Sequence, residues 1–207
     1  MTIENVLVVY MKPKNDRQRK NFEKVKNILD KNGIKYKAKV RERLLTDESE
    51  KYDLVLSVGG DGTVLRTAHH IRSKTPIMGV NLDVRFKEGF LARTTAERFE
   101  EGFSRLLKGK YKIIKLHRLK AKVNGKELPS LALNEFYVGF EKAYQTARYE
   151  ITYNRKTEFQ KSSGLLIGTA AGSHGWIKST GGKQLPLDSQ DFQVIVREVY
   201  CSAHTQC

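Results

Sequence analysis

The chain has 207 residues, with 38 Lys and Arg against 23 Asp and Glu, a formal net charge of +15, and 39% hydrophobic residues. That is enough for one large or two small domains. No stretch approaches the roughly 20 consecutive apolar residues of a membrane span, and Met1-Thr2-Ile3-Glu4-Asn5 lacks the basic-then-apolar order of a signal peptide. No membrane partner and a cytoplasmic location are therefore expected. The two cysteines, Cys201 and Cys207, offer neither a disulfide framework nor a metal knuckle and fit a reducing compartment. The positive balance suggests polyanionic partners, but charge alone does not separate nucleic acid from nucleotide phosphates or from a solvated surface. The basic residues of Lys12 to Lys51 alternate with Glu23, Asp30 and Asp47, the pattern of a solvated face.

Val6-Leu7-Val8-Val9-Tyr10 is an apolar run suited to a buried parallel strand. After a polar stretch ending near Asp16, Phe22, Val25, Ile28 and Leu29 recur at helical spacing, and Asn32-Gly33 supplies the stop. A strand follows around Tyr36 to Val40. Leu54-Val55-Leu56-Ser57-Val58 forms another apolar run and breaks into Gly59-Gly60-Asp61-Gly62-Thr63, where a helix carrying Val64, Leu65 and Ala68 begins. Ser73 to Pro76 ends that helix, and Ile77-Met78-Gly79-Val80 reads as a further strand. This alternation implies an open α/β layer with a mostly parallel sheet. Thr94-Thr95-Ala96-Glu97 has capping-box form and precedes a helix with Phe99, Phe103, Leu106 and Leu107 on its apolar face.

From Tyr111 the pattern changes to short alternating runs: Ile113 to Val123, an Asn124-Gly125 turn, Leu131 to Val138, Ala147 to Tyr153 and Leu165 to Gly168. The expected organisation is an α/β domain over 1–110 carrying the glycine-rich loop, followed by a mainly antiparallel β-rich domain over 111–207.

The chemistry concentrates at Gly59 to Thr63. Glycines at a strand end leave the backbone open, and the following helix aims its N–H groups at whatever lies there, for which phosphate is the natural occupant. A carboxylate in such a site repels its ligand unless it holds a metal ion or takes a proton from an attacking hydroxyl, so Asp61 points to phosphoryl transfer. A tight Asp-Gly turn is the plain structural alternative.

The pentapeptide resembles the Gly-Gly-Asp-Gly-Thr signature shared by NAD kinases and by diacylglycerol and sphingosine kinases. Three further segments resemble NAD kinases: Gly79-Val80-Asn81 with Gly89-Phe90-Leu91, then Ala132-Leu133-Asn134-Glu135, then Gly164 to Trp176. The mitochondrial-type branch is the nearest in appearance, through Asn81-Leu82-Asp83, Glu88-Gly89 and Lys161-Ser162-Ser163-Gly164. The resemblance covers roughly Val6 to Trp176. It implies transfer of a phosphoryl group from ATP, or in some members polyphosphate, to the 2′-hydroxyl of the adenosine ribose of NAD, giving NADP, with Mg2+ accompanying the donor.

By the same resemblance Asp61 is the base, while Gly59, Gly60, Gly62 and Thr63 line the phosphate side. Asn134 and Glu135 hold ribose hydroxyls and the adenine edge, unless they simply end a strand. Phe90 contacts the adenine side or packs in the core, and Lys161 meets the dinucleotide phosphates. Thr169, Ala171, Ser173, His174, Gly175 and Trp176 complete the NAD-binding set; no resident metal ligand is implied. Gly181-Gly182 matches the glycine pair that closes the motif, and also suits an ordinary turn.

Several positions depart from the family pattern. The usual Thr-Pro-Thr-Gly-Ser-Thr-Ala-Tyr is replaced at Ala170, Ala171, His174, Gly175 and Trp176, and Ser163 stands where most members have a ribose-gripping Asp. Trp for Tyr keeps a flat stacking surface, and His174 keeps a hydrogen-bonding group that can carry charge. Family members also continue past the equivalent of Cys207, so a shortened second domain, or a homodimer or tetramer covering its sheet edge, is expected. The alternatives are a lipid or small-molecule kinase of the same superfamily, against which the polar Asn134-Glu135 pair speaks, and a catalytically inactive dinucleotide-binding protein. Nucleic acid is disfavoured: Tyr149, Tyr153 and Phe159 beside Arg148, Arg155 and Lys156 are a weak signal.

Overall fold

The computed structural model describes residues 2–84, 89–142 and 144–201. The chain divides into two compact units, Met1–Ile113 and Ile114–Cys207.

The first unit is built on a five-stranded parallel sheet. In chain order it contains β1 (Asn5–Tyr10), α1 (Asp16–Lys31), β2 (Lys35–Val40), β3 (Leu54–Gly59), α2 (Asp61–His70), β4 (Ile77–Asn81), β5 (Thr94–Thr95) and α3 (Phe99–Leu107). The strand order is β2-β1-β3-β4-β5, all parallel. Alternate residues of β1 feed two cores: Val6 and Val8 pack with Phe22, Val25 and Leu29 of α1 and Phe99 and Phe103 of α3, while Leu7 and Val9 pack with Leu44, Val55 and Ile71 on the other face. Strand periodicity of two thus places helices on both faces. Burying Phe99 and Phe103 completely contributes on the order of 2–3 kcal/mol each.

Local signals set the helix ends. The Asn15 side chain accepts from the Gln18 N–H at 2.9 Å and caps α1. Its end is set by Gly33 at φ +66, after which the Ile34 N–H returns to the Leu29 carbonyl at 3.1 Å. The capping-box expectation at Thr94 to Glu97 is corrected. Thr94 and Thr95 instead pair with Val80 and Asn81, because the sheet ladder takes up their backbone, and α3 starts at Phe99 without a side-chain cap.

Chain connections place β2 on one side of β1 and β3 on the other, so the order reverses between β1 and β3. The crevice outside the carboxyl ends of such strands is the general ligand position in open α/β sheets. Here those ends lead into Met11, whose N–H donates to the Val58 carbonyl at 3.0 Å, and into the Gly59–Thr63 loop.

The second unit is antiparallel. It contains β6 (Lys122–Val123), β7 (Lys126–Glu127), β8 (Glu135–Val138), β9 (Ala147–Tyr153), β10 (Lys156–Ser162), β11 (Gly164–Thr169), α4 (Trp176–Ser179) and β12 (Phe192–Arg197). A three-stranded sheet has the order β12-β11-β8, and β6-β7 and β9-β10 are hairpins. Asn124 and Gly125 at φ +50 and +76 turn the first hairpin, and Asn154 and Arg155 at φ +49 and +63 turn the second. The apolar run expected over Ile113 to Val123 enters a hairpin only at Lys122–Val123, and the polar strand β10 was not anticipated.

Among the described residues no helix is long and apolar enough to cross a membrane. Glu88 and Cys207, both singled out in the sequence, lie outside the described residues.

Candidate active site

In the first unit the site is a strand-to-helix loop held from outside. Gly59 ends β3 and is buried, as is Gly60; Asp61 is half-buried, Gly62 exposed and Thr63 buried. The Thr63 and Val64 N–H groups close the first turn on the Gly60 carbonyl at 2.8 and 3.2 Å. The N–H groups of Asp61 and Gly62 precede that first bond, so they head the helix with its positive dipole end. An anion fits such a position.

Asp61 has a structural role that its sequence context does not reveal. Its Oδ1 accepts from the Leu91 and Ala92 N–H groups, both at 2.8 Å, and its Oδ2 accepts from the Phe90 N–H at 2.9 Å. The carboxylate therefore pins the Phe90–Ala92 strap against the head of α2, with Oδ2 keeping the less crowded lone pair. Gly79 on β4 makes room for the strap: a Cβ there would lie 2.7 Å from Ala92 Cα and 2.9 Å from the Leu91 carbonyl oxygen. Phe90 contributes its backbone to this arrangement, and its ring carries the Arg93 guanidinium 5.7 Å from its centre.

Arg41, which the sequence assigned only to a solvated basic stretch, donates from Nη1 to Thr63 Oγ1 at 3.3 Å and from Nε to Glu42 Oε1 at 2.8 Å. Its signal was the position just past the carboxyl end of β2. Glu42 is held below the usual carboxylate range, chiefly by its hydrogen bond with Arg41.

In the second unit Asn134 and Glu135 stand at the start of β8. Asn134 Oδ1 and Glu135 Oε2 are buried and have no hydrogen-bond partner among the described residues. Burial pushes the Glu135 carboxyl above its ordinary value. Two adjacent acceptors without donors suit a ligand that brings hydroxyl or amine hydrogens.

The Thr169–Trp176 segment wraps this pair through its backbone. The Thr169 N–H donates to the Asn134 carbonyl at 2.8 Å, and a Cβ at Gly172 would meet that same carbonyl oxygen at 2.2 Å, so only glycine fits. The Thr169 hydroxyl donates to the Leu133 carbonyl and accepts from the Gly172 N–H. Ser173 Oγ donates to the Ala170 carbonyl at 2.7 Å and accepts from the Leu185 N–H at 2.8 Å. Thr169, Ala171 and Ser173 are thus buried framework, whereas Gly175 is half-buried and Trp176 is 39% exposed.

His174 is turned to the chain rather than outward. Its Nδ1 faces the Gln184 amide nitrogen at 3.3 Å and its Nε2 the Leu185 carbonyl at 3.0 Å, which selects the Nε2–H tautomer. The Lys161 ammonium lies 3.7 Å from the centre of the Tyr200 ring. Ser163 donates its N–H to the Arg197 carbonyl at 3.0 Å and receives the Tyr137 hydroxyl on its own carbonyl at 2.8 Å. Gly181 takes φ +86, and Gly182 returns its N–H to the Ile177 carbonyl at 2.9 Å.

The family profile described as the ATP-NAD kinase N-terminal domain matches residues 2–111. The chain belongs to the NAD kinase family. Among relatives, it is 31% identical over 194 residues to a probable NADH kinase of Oryza sativa subsp. japonica, covering 84% of this chain and 59% of that protein. It is 31% identical over 140 residues to an NAD kinase of Methanopyrus kandleri, covering 67% of this chain and 49% of that protein. The chain spans about six-tenths of the length of its rice and Arabidopsis thaliana relatives.

Two solved structures share the NAD kinase fold with it. An NAD kinase from Archaeoglobus fulgidus in complex with ATP superposes with a TM-score of 0.73 at 23% identity, over 95% of this chain and 73% of that one. A yeast NADH kinase complexed with NADH gives 0.79 at 16% identity, over 97% and 67%. The parallel α/β layer followed by antiparallel strands is therefore the fold of this family.

Proposed function

We propose that the protein is an NAD kinase, transferring a phosphoryl group from ATP or polyphosphate to the 2′-hydroxyl of the adenosine ribose of NAD or NADH. The observation that carries this reading is the pair of unpartnered buried acceptors, Asn134 Oδ1 and Glu135 Oε2, in a chain that belongs to this family. Ribose hydroxyls and an adenine amine would give them the hydrogens they lack. Trp176 would stack on a ring of the dinucleotide, and Lys161 would meet its phosphates. His174, with both ring nitrogens facing residues 184–185, would shape the turn and contact the ligand only by its edge.

Gly59, Gly60, Gly62 and Thr63 would receive the donor phosphates, with Asp61 Oδ2 accepting the hydroxyl proton. Mg2+ would arrive with the triphosphate, where it would neutralise phosphate charge. A cytoplasmic homodimer or homotetramer completes the proposal, because β8 and β12 are the outer strands of their sheet and Phe192 and Val194 on β12 are exposed.

The engagement of Asp61 with three backbone N–H groups favours one second reading, a dinucleotide-binding protein in which this carboxylate is purely structural. NADP formation from NAD with ATP and magnesium tests both, with polyphosphate as second donor and Asp61→Asn as control, its fold checked by circular dichroism. Product from the unmodified chain and none from the variant supports the kinase. No product with either donor, but tight dinucleotide binding by calorimetry, supports the second reading; absence of both overturns each and returns attention to a lipid or other small-molecule kinase.

A further inference from the structure

Arg197, at the end of β12, is built into the aromatic cluster of the second unit. Its guanidinium carbon lies 4.9 Å from the centre of the Trp176 ring and 5.9 Å from that of Tyr137. The two rings are 5.7 Å apart and inclined by 30°. The cluster is anchored through Ser163, which accepts the Tyr137 hydroxyl and donates its N–H to Arg197's own carbonyl. Arg197 Nη2 reaches Glu198 Oε1 at 3.1 Å, while Nε is buried with no acceptor among the described residues. Leaving a buried N–H unmet is unfavourable, and the attraction between the guanidinium and the indole offsets it.

Resting on the reading of this unit as a dinucleotide site, we propose that Arg197 is a specificity-determining residue that sets which charge state of a ring Trp176 accepts. A positive guanidinium over an indole draws its electron density toward itself and leaves the open face less negative. A cationic ring stacked there, such as oxidised nicotinamide, loses part of its attraction and also meets the arginine charge through the ring. An uncharged dihydronicotinamide loses neither. Arg197 thus acts through Trp176, without touching the ligand, and discriminates against the cationic ring.

The chain contains a single Trp, so tryptophan emission reports on this position alone. The full chain, Arg197→Met and Arg197→Lys are titrated with NAD and with NADH, following emission and confirming affinities by calorimetry. The unmodified chain is expected to bind NADH more tightly. Arg197→Met narrows the NADH-to-NAD affinity ratio by roughly two- to five-fold, mainly through a gain for NAD, whereas Arg197→Lys, which keeps the charge, retains most of it.

An unchanged ratio in a folded Arg197→Met overturns the inference. Should that variant not fold, Trp176→Leu asks the same question with the arginine in place: the ratio then falls, and persistence of the full ratio overturns the inference. Absence of binding of either dinucleotide to the unmodified chain overturns the dinucleotide reading itself, so the two failures are distinguishable.

Discussion

The two units are held together by different means. Among the described residues both hydrophobic clusters lie in the first unit. The buried apolar residues of the second are Ala132, Leu133, Ala147, Leu166, Ala170, Ala171 and Ile177, mostly alanines with little area to remove from water. The second unit depends instead on strand ladders and on close backbone contacts such as Gly172 against Asn134. The polar groups differ in the same sense. Asp61 in the first unit accepts from three backbone donors, whereas most of the buried side-chain atoms without a hydrogen-bond partner among the described residues lie in the second, at Asn134, Glu135, Gln160 and Arg197. A packed core can support a satisfied loop in the absence of ligand; a thin core with unpaired acceptors gains most when a ligand supplies the missing partners.

This contrast is sharpest at Asp61. Asp61→Ala removes three charge-assisted hydrogen bonds and leaves the strap's N–H groups unmet, so a loss of about 4 kcal/mol is expected in urea unfolding of the full chain. Turnover should fall by roughly 10²-fold or more. A variant that keeps its stability while losing turnover would make the carboxylate a base alone.

Gly172→Ala tests the backbone contact of the second unit. Its Cβ would overlap the Asn134 carbonyl, and about 3 kcal/mol should be lost, together with dinucleotide affinity. Gly62 is the comparison in the first unit, since a Cβ there meets nothing within 4 Å. Gly62→Ala should therefore melt no lower than the unmodified chain, and any loss of activity in it would come from phosphate contact rather than folding.

Trp176→Ala is expected to weaken dinucleotide binding by roughly 1–3 kcal/mol with little change in melting temperature. Equal affinity by calorimetry would remove the ring from the ligand site.

The smallest effect concerns pH. Because burial raises the Glu135 carboxyl in the folded state, that state binds its proton more readily than the unfolded chain does. Stability attributable to this group therefore rises as pH falls through the raised value toward the ordinary glutamate range, and is lost above it. Glu135→Gln should flatten that dependence and raise the melting temperature slightly near neutral pH, while weakening dinucleotide binding. Unchanged melting at both neutral and acid pH would mean that the carboxylate bears no burial cost.

Legibility in the sequence followed the same division. Val6 to Tyr10, Leu54 to Val58 and the Phe22-Val25-Ile28-Leu29 stripe could be read directly, because buried parallel strands and amphipathic helices write their environment into local composition. Lys156–Ser162 was missed because a strand of Lys, Thr, Glu and Gln carries no apolar alternation; its pairing with Ala147–Tyr153 is set by the Asn154-Arg155 turn. The glycine-rich loop was found by its residue types. The strap's Gly89-Phe90-Leu91 was picked out only by resemblance, and its bonds to Asp61 were not foreseen, since those to Phe90, Leu91 and Ala92 span about thirty residues and exist only after folding. Arg41 and Arg197 were hidden likewise: an arginine in a basic chain carries no mark until the ring or hydroxyl beside it is known.

The place of Gly79 beneath that strap has an effect on how the loop can vary. A side chain at this strand position would lift Leu91 and Ala92, and the carboxylate at the head of α2 would lose the donors that orient it. Aim at the loop is therefore set from the neighbouring strand, as a gun is laid by its carriage. Substitutions at Gly79 and Asp61 should not add: once either has released the strap, the second has little left to disturb.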